Sequence, residues 1–140
     1  MMGLFFIFFT SNNTTKNPHH TTETTIHIDK KVQLKTQIAD EPKERSIGLS
    51  HHTFLNPDEA MLFIFEKTGL YGFHMPDMDF PIDIFWLDEN KKVVFMKEYA
   101  RPEDFPEVYT PTVPALYVVE TVAGFASDHS VSIGYQFNWE

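Results

Sequence analysis

Phe73-His74-Met75-Pro76-Asp77-Met78-Asp79-Phe80-Pro81-Ile82-Asp83-Ile84-Phe85-Trp86-Leu87-Asp88 is the stretch on which the reading of the fold turns. Its first half gathers imidazole, thioether and carboxylate side chains around Pro76 and Pro81. Its second half, Pro81 to Leu87, is an apolar strand that carries one carboxylate, Asp83. Asp88-Glu89-Asn90-Lys91 is a polar turn, and Val93 to Tyr99 returns as a second strand. Apolar runs on both sides of a turn this short predict a β-hairpin. Upstream, Phe73 to Met75 reads as a brief strand stopped by Pro76.

Working outward, Ala60-Met61-Leu62-Phe63-Ile64-Phe65 is an unbroken apolar run, as expected of a strand buried on both faces. Val32, Leu34, Thr36 and Ile38 alternate with polar residues, the period of a half-buried strand. Asp40 and Pro42 open a short helix, Glu41 to Ile47, which Gly48 closes. Arg101 to Pro114 contains Pro102, Pro106, Pro111 and Pro114 and cannot pair as a central strand, so it reads as a long surface loop. Ala115 to Glu120 is a strand, Gly124 to His129 a helical turn, and Ile133 to Trp139 a last strand. Phe63, Phe65, Ile84, Val94, Leu116 and Val118 are the expected core. No helix is long enough to cross between parallel strands. The expected fold is therefore mainly β, an antiparallel β-sandwich or barrel with one or two short helices.

A chain of 140 residues with 42% hydrophobic content fits one domain with a core. The formal net charge of -9 excludes nucleic acid as the expected partner, because phosphate recognition needs a Lys/Arg surface. There is no Cys, hence no disulfide, thiolate metal site or thiol nucleophile. Residues 1-10 form an apolar segment centred on Leu4 to Phe9. It is too short to cross a bilayer as a helix, which takes about 20 residues, and it resembles the apolar part of a truncated export signal. Residues 11-25, rich in Thr, Asn and His, form a polar linker, and residues 26-140 the single β-rich domain. The expected product is a monomeric protein exported to the periplasm or cell envelope, with no transmembrane helix.

The order of several short motifs resembles the domain of unknown function 192 family. Gly48-Leu49, Met61 to Phe65, Phe73-His74-Met75, Pro81-Ile82-Asp83-Ile84, Ala115 to Glu120 and Ala123-Gly124 follow that family's sequence of motifs from about Ile38 to Tyr135. The resemblance implies a small β-rich domain, often exported in bacteria, and no known chemistry. Ser50 stands where the family has Met, and His74 where it has a second aromatic. Pro76-Asp77-Met78 replaces Lys-Asn-Thr, and Tyr135 replaces Asp. Most of these departures fall in the family's distinctive segment, so a ligand common to the family would meet an altered site here.

The candidate site is the face around Phe73 to Asp83. Phe73, His74, Met75, Asp77 and Asp79 are its expected ligand-binding residues. His74, Met75 and Met78 are soft donors that suit Cu(I), and Asp77 and Asp79 are hard donors that suit Ca²⁺. The plainer account is that Met75 fills the core and the carboxylates stand on a solvated turn. Asp83 and Glu120 lie inside apolar strands and are read as structural anchors that must find donors. His51-His52 and His19-His20 are adjacent pairs expected to be solvated. No phosphate loop, nucleophile elbow or HExxH helix is present. The expected function is a non-catalytic module, without cofactor, that binds a small ligand or a protein. The alternative is a Cu- or Ca-handling protein, or a metal-dependent hydrolase using His74 with Asp77, Asp79 or Asp83.

Overall fold

The computed structural model describes residues 22–140. The apolar segment 1-10, most of the expected linker and His19-His20 lie outside the described residues. The elements run β1 (Glu23–Ile28), β2 (Val32–Ala39), α1 (Pro42–Ile47), β3 (Glu59–Gly69), β4 (Ile82–Leu87), β5 (Val93–Ala100), a 3-10 turn (Pro102–Asp104), β6 (Ala115–Val122) and α2 (Phe125–Asp128). The fold is mainly β with two short helices, as the patterning predicts. Strand is already present at Glu23, inside the segment expected to be linker.

All strands join one six-stranded sheet in the order β1-β2-β3-β6-β4-β5. Every pairing is antiparallel except β2 with β3, which is parallel, Ile38 opposite Leu62. A parallel crossover is thus made without the long helix that the sequence pattern led us to require. The connection from Ala39 to Glu59 is long enough to turn back, and its one short helix, α1, suffices. The helix starts one residue later than expected. Glu41 is its N-cap, and the Glu44 carboxylate accepts the backbone N–H groups of Asp40 and Glu41 at 3.2 Å.

The sheet is not closed by any β1–β5 ladder. The segment expected as a last strand instead straps its two edges. His27 and Asn138 exchange two backbone hydrogen bonds (2.7 and 3.1 Å), while Lys92 bridges Gln136 and Val93 N–H donates to the Tyr135 carbonyl at 3.0 Å. A flat sheet of six strands would hold its edges roughly 24 Å apart. Gln136 and Asn138, which touch opposite edges, are at most ~7 Å apart along the chain. The sheet therefore curls around its first face.

Each face buries its own core. Leu34, Leu62, Phe85, Leu87, Val119, Phe125 and Phe137 pack on the strapped face, beneath α2. Leu49, Met61, Phe63, Met75, Ile84, Trp86 and Val118 pack on the other. β4 is buried at every residue and divides by alternation, with Ile82, Ile84 and Trp86 on one side and Asp83, Phe85 and Leu87 on the other. Of the expected core, Phe63, Ile84 and Val118 are fully buried. Phe65, Val94 and Leu116 are only half-buried.

The loop from Arg101 to Pro114 is anchored. Tyr109 is buried and exchanges two backbone hydrogen bonds with Phe73 (2.9 and 2.8 Å). The Tyr109 hydroxyl donates to the Asp104 carboxylate at 2.6 Å, which holds the Asp104 pKa below its ordinary value. Burial, reinforced by that bond, pushes the Tyr109 hydroxyl pKa up. Gly72 permits the approach, since a Cβ there would stand 2.7 Å from a Val108 methyl carbon.

Candidate functional site

The cleft begins with the strand alternation that puts Phe63, Ile82, Ile84 and Glu120 on the same face. Glu120 pairs with Ile84 on one side and Met61 on the other. Above this floor, the end of α1 and its following turn, Ser46 to Ser50, form one wall. The segment Tyr71 to Met78 forms the other. Between them lies a cleft of about 390 Å³. Gly48 takes a positive φ (52) to end α1, and a Cβ there would come within 3.3 Å of the Phe63 ring.

Aromatic side chains fix the walls. The Phe63 and Phe73 rings meet edge to face at 4.9 Å, and Phe73 meets Trp86 the same way at 5.7 Å. Phe65 stacks on Tyr71 at 3.6 Å. The Trp86 indole N–H donates to the Tyr71 carbonyl at 2.8 Å, and the Tyr71 hydroxyl donates to the Lys67 carbonyl at 2.6 Å. Arg45, also in the lining, donates to the Ile64 carbonyl at 2.9 Å and to the Asp40 carbonyl, with its guanidinium 5.2 Å from the centre of the Phe65 ring.

Glu120 is the one carboxylate in this lining and is 5% exposed. Burial raises its pKa from 4.5 to about 8. No donor among the described residues offsets that cost, so near neutral pH the group holds its proton. Asp83, on the neighbouring strand, is also fully buried but points the other way. Its carboxylate accepts the backbone N–H groups of Tyr99 and Ala126, both at 2.9 Å. Tyr99 lies in a bulge where two β5 residues, Glu98 and Tyr99, oppose Asp83, and it has a positive φ of 51. Ala126 is in the first turn of α2, whose N-cap, Gly124, has no side chain to offer. Asp83 thus pairs two backbone donors that the fold would otherwise strand.

Phe73, His74, Met75 and Met78 line the cleft. Met75 is buried, Phe73 and Met78 are half-buried, and His74 is exposed, 5.9 Å from the Phe105 ring. Asp77 and Asp79 are exposed and outside the lining, and Asp77 has φ 54. The segment and Asp83 do not converge, because alternation along β4 sends Asp83 to the opposite face. Among the described residues, no group of three or more His, Asp or Glu is placed to hold a metal ion. The expected solvated pair His51-His52 splits. His51 is exposed, whereas His52 turns inward, its Nε2 3.3 Å from Gln37 Nε2 and its Nδ1 buried without a partner among the described residues. Sequence reasoning missed Arg45, Ser46 to Ser50, Phe65 and Tyr71 as lining residues. The available signal was Gly48-Leu49, a motif of the resemblance that lies just past the end of α1.

Fold and cleft together define a class: small, curled, single-sheet β domains with an aromatic-lined recess over one face. The chain belongs to the domain of unknown function 192 family, described as an uncharacterized ACR, whose model matches residues 22–139. A UPF0127 protein of Thermococcus sibiricus is 36% identical over 87 residues, covering 61% of this chain and 54% of that protein. The match thus spans about half of that relative's length. Two solved structures share the fold. One is a Sinorhizobium meliloti 1021 protein provisionally labelled a transcription regulator (TM-score 0.78, 23% identity, covering 85% of this chain and 95% of that one). The other is a protein of unknown function from Novosphingobium aromaticivorans DSM 12444 (TM-score 0.77, 22% identity, 88% and 90% covered). At these identities the likeness establishes the fold and carries no activity across.

Proposed function

We propose that the protein is a non-catalytic binding module that takes a small ligand into the cleft between α1 and Tyr71 to Met78. The observation that carries this reading is Glu120, a buried carboxylate at the cleft floor with no donor of its own. A bound molecule would supply the partner that the protein itself does not. An apolar, aromatic recess with one or a few convergent polar groups is the usual composition of small-molecule sites. Acid–base catalysis would need a second group within reach, and the one imidazole in the lining, His74, is exposed.

Metal handling or metal-dependent hydrolysis has less support, because His74, Asp77, Asp79 and Asp83 are not gathered around one point. A location in the cell envelope rests on the apolar run Leu4 to Phe9 and the polar stretch after it. Among the described residues, no helix is long and apolar enough to cross a membrane.

A thermal-shift screen of small metabolites against the full chain tests the reading. Some compounds should raise the melting temperature by several degrees through mass action. Ser50→Trp, which fills the cleft from its wall, should abolish those shifts while leaving the unliganded protein folded. A complete absence of hits, or hits indifferent to Ser50→Trp, would remove the cleft as the site.

A further inference from the structure

We infer that the ligand is a small organic cation, an alkyl- or arylammonium whose charged nitrogen sits on the Glu120 carboxylate and whose hydrocarbon lies against Phe63, Phe65, Tyr71 and Phe73. The inference rests on the cleft reading and names the chemistry the cleft would accept. The floor offers a carboxylate that is 5% exposed and lacks a partner. The walls offer the apolar surface of aromatic rings, against which a hydrocarbon body can pack. A carboxylate beneath aromatic walls complements an ammonium on a hydrocarbon body at both ends.

The other charged or titratable groups of the lining do not take the ligand's place. Arg45, from α1, is held by the Asp40 and Ile64 carbonyls and packs over Phe65. Tyr71 donates its hydroxyl to the Lys67 carbonyl, and His74 is exposed. From β3 and β4 the cleft receives Phe63, Phe65 and Ile82, none of them charged.

The proton balance follows. Near neutral pH the Glu120 carboxyl keeps its proton, since burial raises its pKa to about 8. An incoming ammonium makes ionisation favourable. One proton leaves the carboxyl for solvent, and the ion pair forms in its place with no change in the ligand's own protonation. Binding should therefore strengthen as pH rises towards 8, by about tenfold per unit at most, and then level off.

Calorimetry on the full chain with benzylammonium, benzyl alcohol and benzoate separates the cases. The expected result is that benzylammonium binds at least tenfold more tightly than benzyl alcohol, with benzoate silent. At pH 7, titrations in buffers of different ionisation enthalpy should show close to one proton released per ligand. Glu120→Gln, similar in shape and uncharged, should stay folded by circular dichroism and lose both the preference and the proton release. If benzyl alcohol or benzoate binds as well as benzylammonium, and Ser50→Trp blocks it, the cation inference falls and the cleft reading stands. If none of the three binds, the cation inference falls, and a metabolite screen without hits would take the cleft reading with it.

Discussion

Asp83 and Glu120 are the same functional group, buried to nearly the same degree, on neighbouring strands of one sheet. Asp83 faces the strapped side and accepts two backbone N–H groups, one from a bulge in β5 and one from the first turn of α2. Glu120 faces the cleft side, where no donor meets it and burial alone sets its pKa. Burial therefore says little about a carboxylate's role, and the supply of donors around it says a great deal. One face of the sheet has its polar demands met from within. The other leaves its carboxylate without a protein donor, at the floor of a cleft.

The largest expected effect would break this contrast on the Asp83 side. Asp83→Ala leaves two backbone donors without their partner, and bonds to such a carboxylate are worth about 1.5–3 kcal/mol each. Denaturant unfolding should show a loss of roughly 3–5 kcal/mol. A loss under about 1 kcal/mol would mean that water replaces the carboxylate and that it anchors nothing.

The next largest lies in the pH dependence of the unliganded protein. Glu120 has its pKa raised in the folded state, from 4.5 to about 8. Between those values the folded chain holds a proton that the unfolded chain has released. Stability from this group is thus fullest below about pH 4.5 and falls as pH rises to 8, by up to about 1.4 kcal/mol per unit. Comparing wild type with Glu120→Gln at each pH isolates this slope from those of other groups. A difference that stays flat from pH 5 to 8 would show that Glu120 has a donor after all.

A smaller effect sharpens the comparison by loosening one cleft wall. Tyr109→Phe removes the hydroxyl that donates to Asp104 but keeps the backbone pairing with Phe73. It should cost about 1 kcal/mol. Hydrogen exchange should rise at the Phe73 amide and stay unchanged at the Ala126 amide on the far face. Equal changes at both amides would mean that the two faces open together.

The hairpin of β4 and β5 was legible because its signals are local: apolar runs, a polar turn and one tight spacing. β6 and β3 were legible for the same reason. β1 was not, since Glu23 to Thr25 is indistinguishable from the polar stretch before it and only Ile26 and Ile28 alternate. The parallel pairing of β2 with β3 was hidden because it depends on how a long connection returns, which no local period records. The cleft was half visible. Phe73, His74 and Met75 stood out as a motif, but the opposite wall comes from α1, far away in the chain. Asp83 and Glu120 looked alike in sequence because each is a carboxylate within an apolar run. Only the partners brought by β5 and α2 tell them apart.

The position of β6 has a consequence for how the molecule comes into being. It lies between β3 and β4, although it follows both in the chain. Until it arrives, the β1-β2-β3 unit and the β4–β5 hairpin share no ladder and leave two strand edges bare. Bare edges of this kind invite pairing with other chains. As the protein leaves the ribosome, both halves must wait for Ala115 to Val122 before they become one sheet. The same strand delivers Glu120, so the recess gains its floor only at the moment the two halves are sealed.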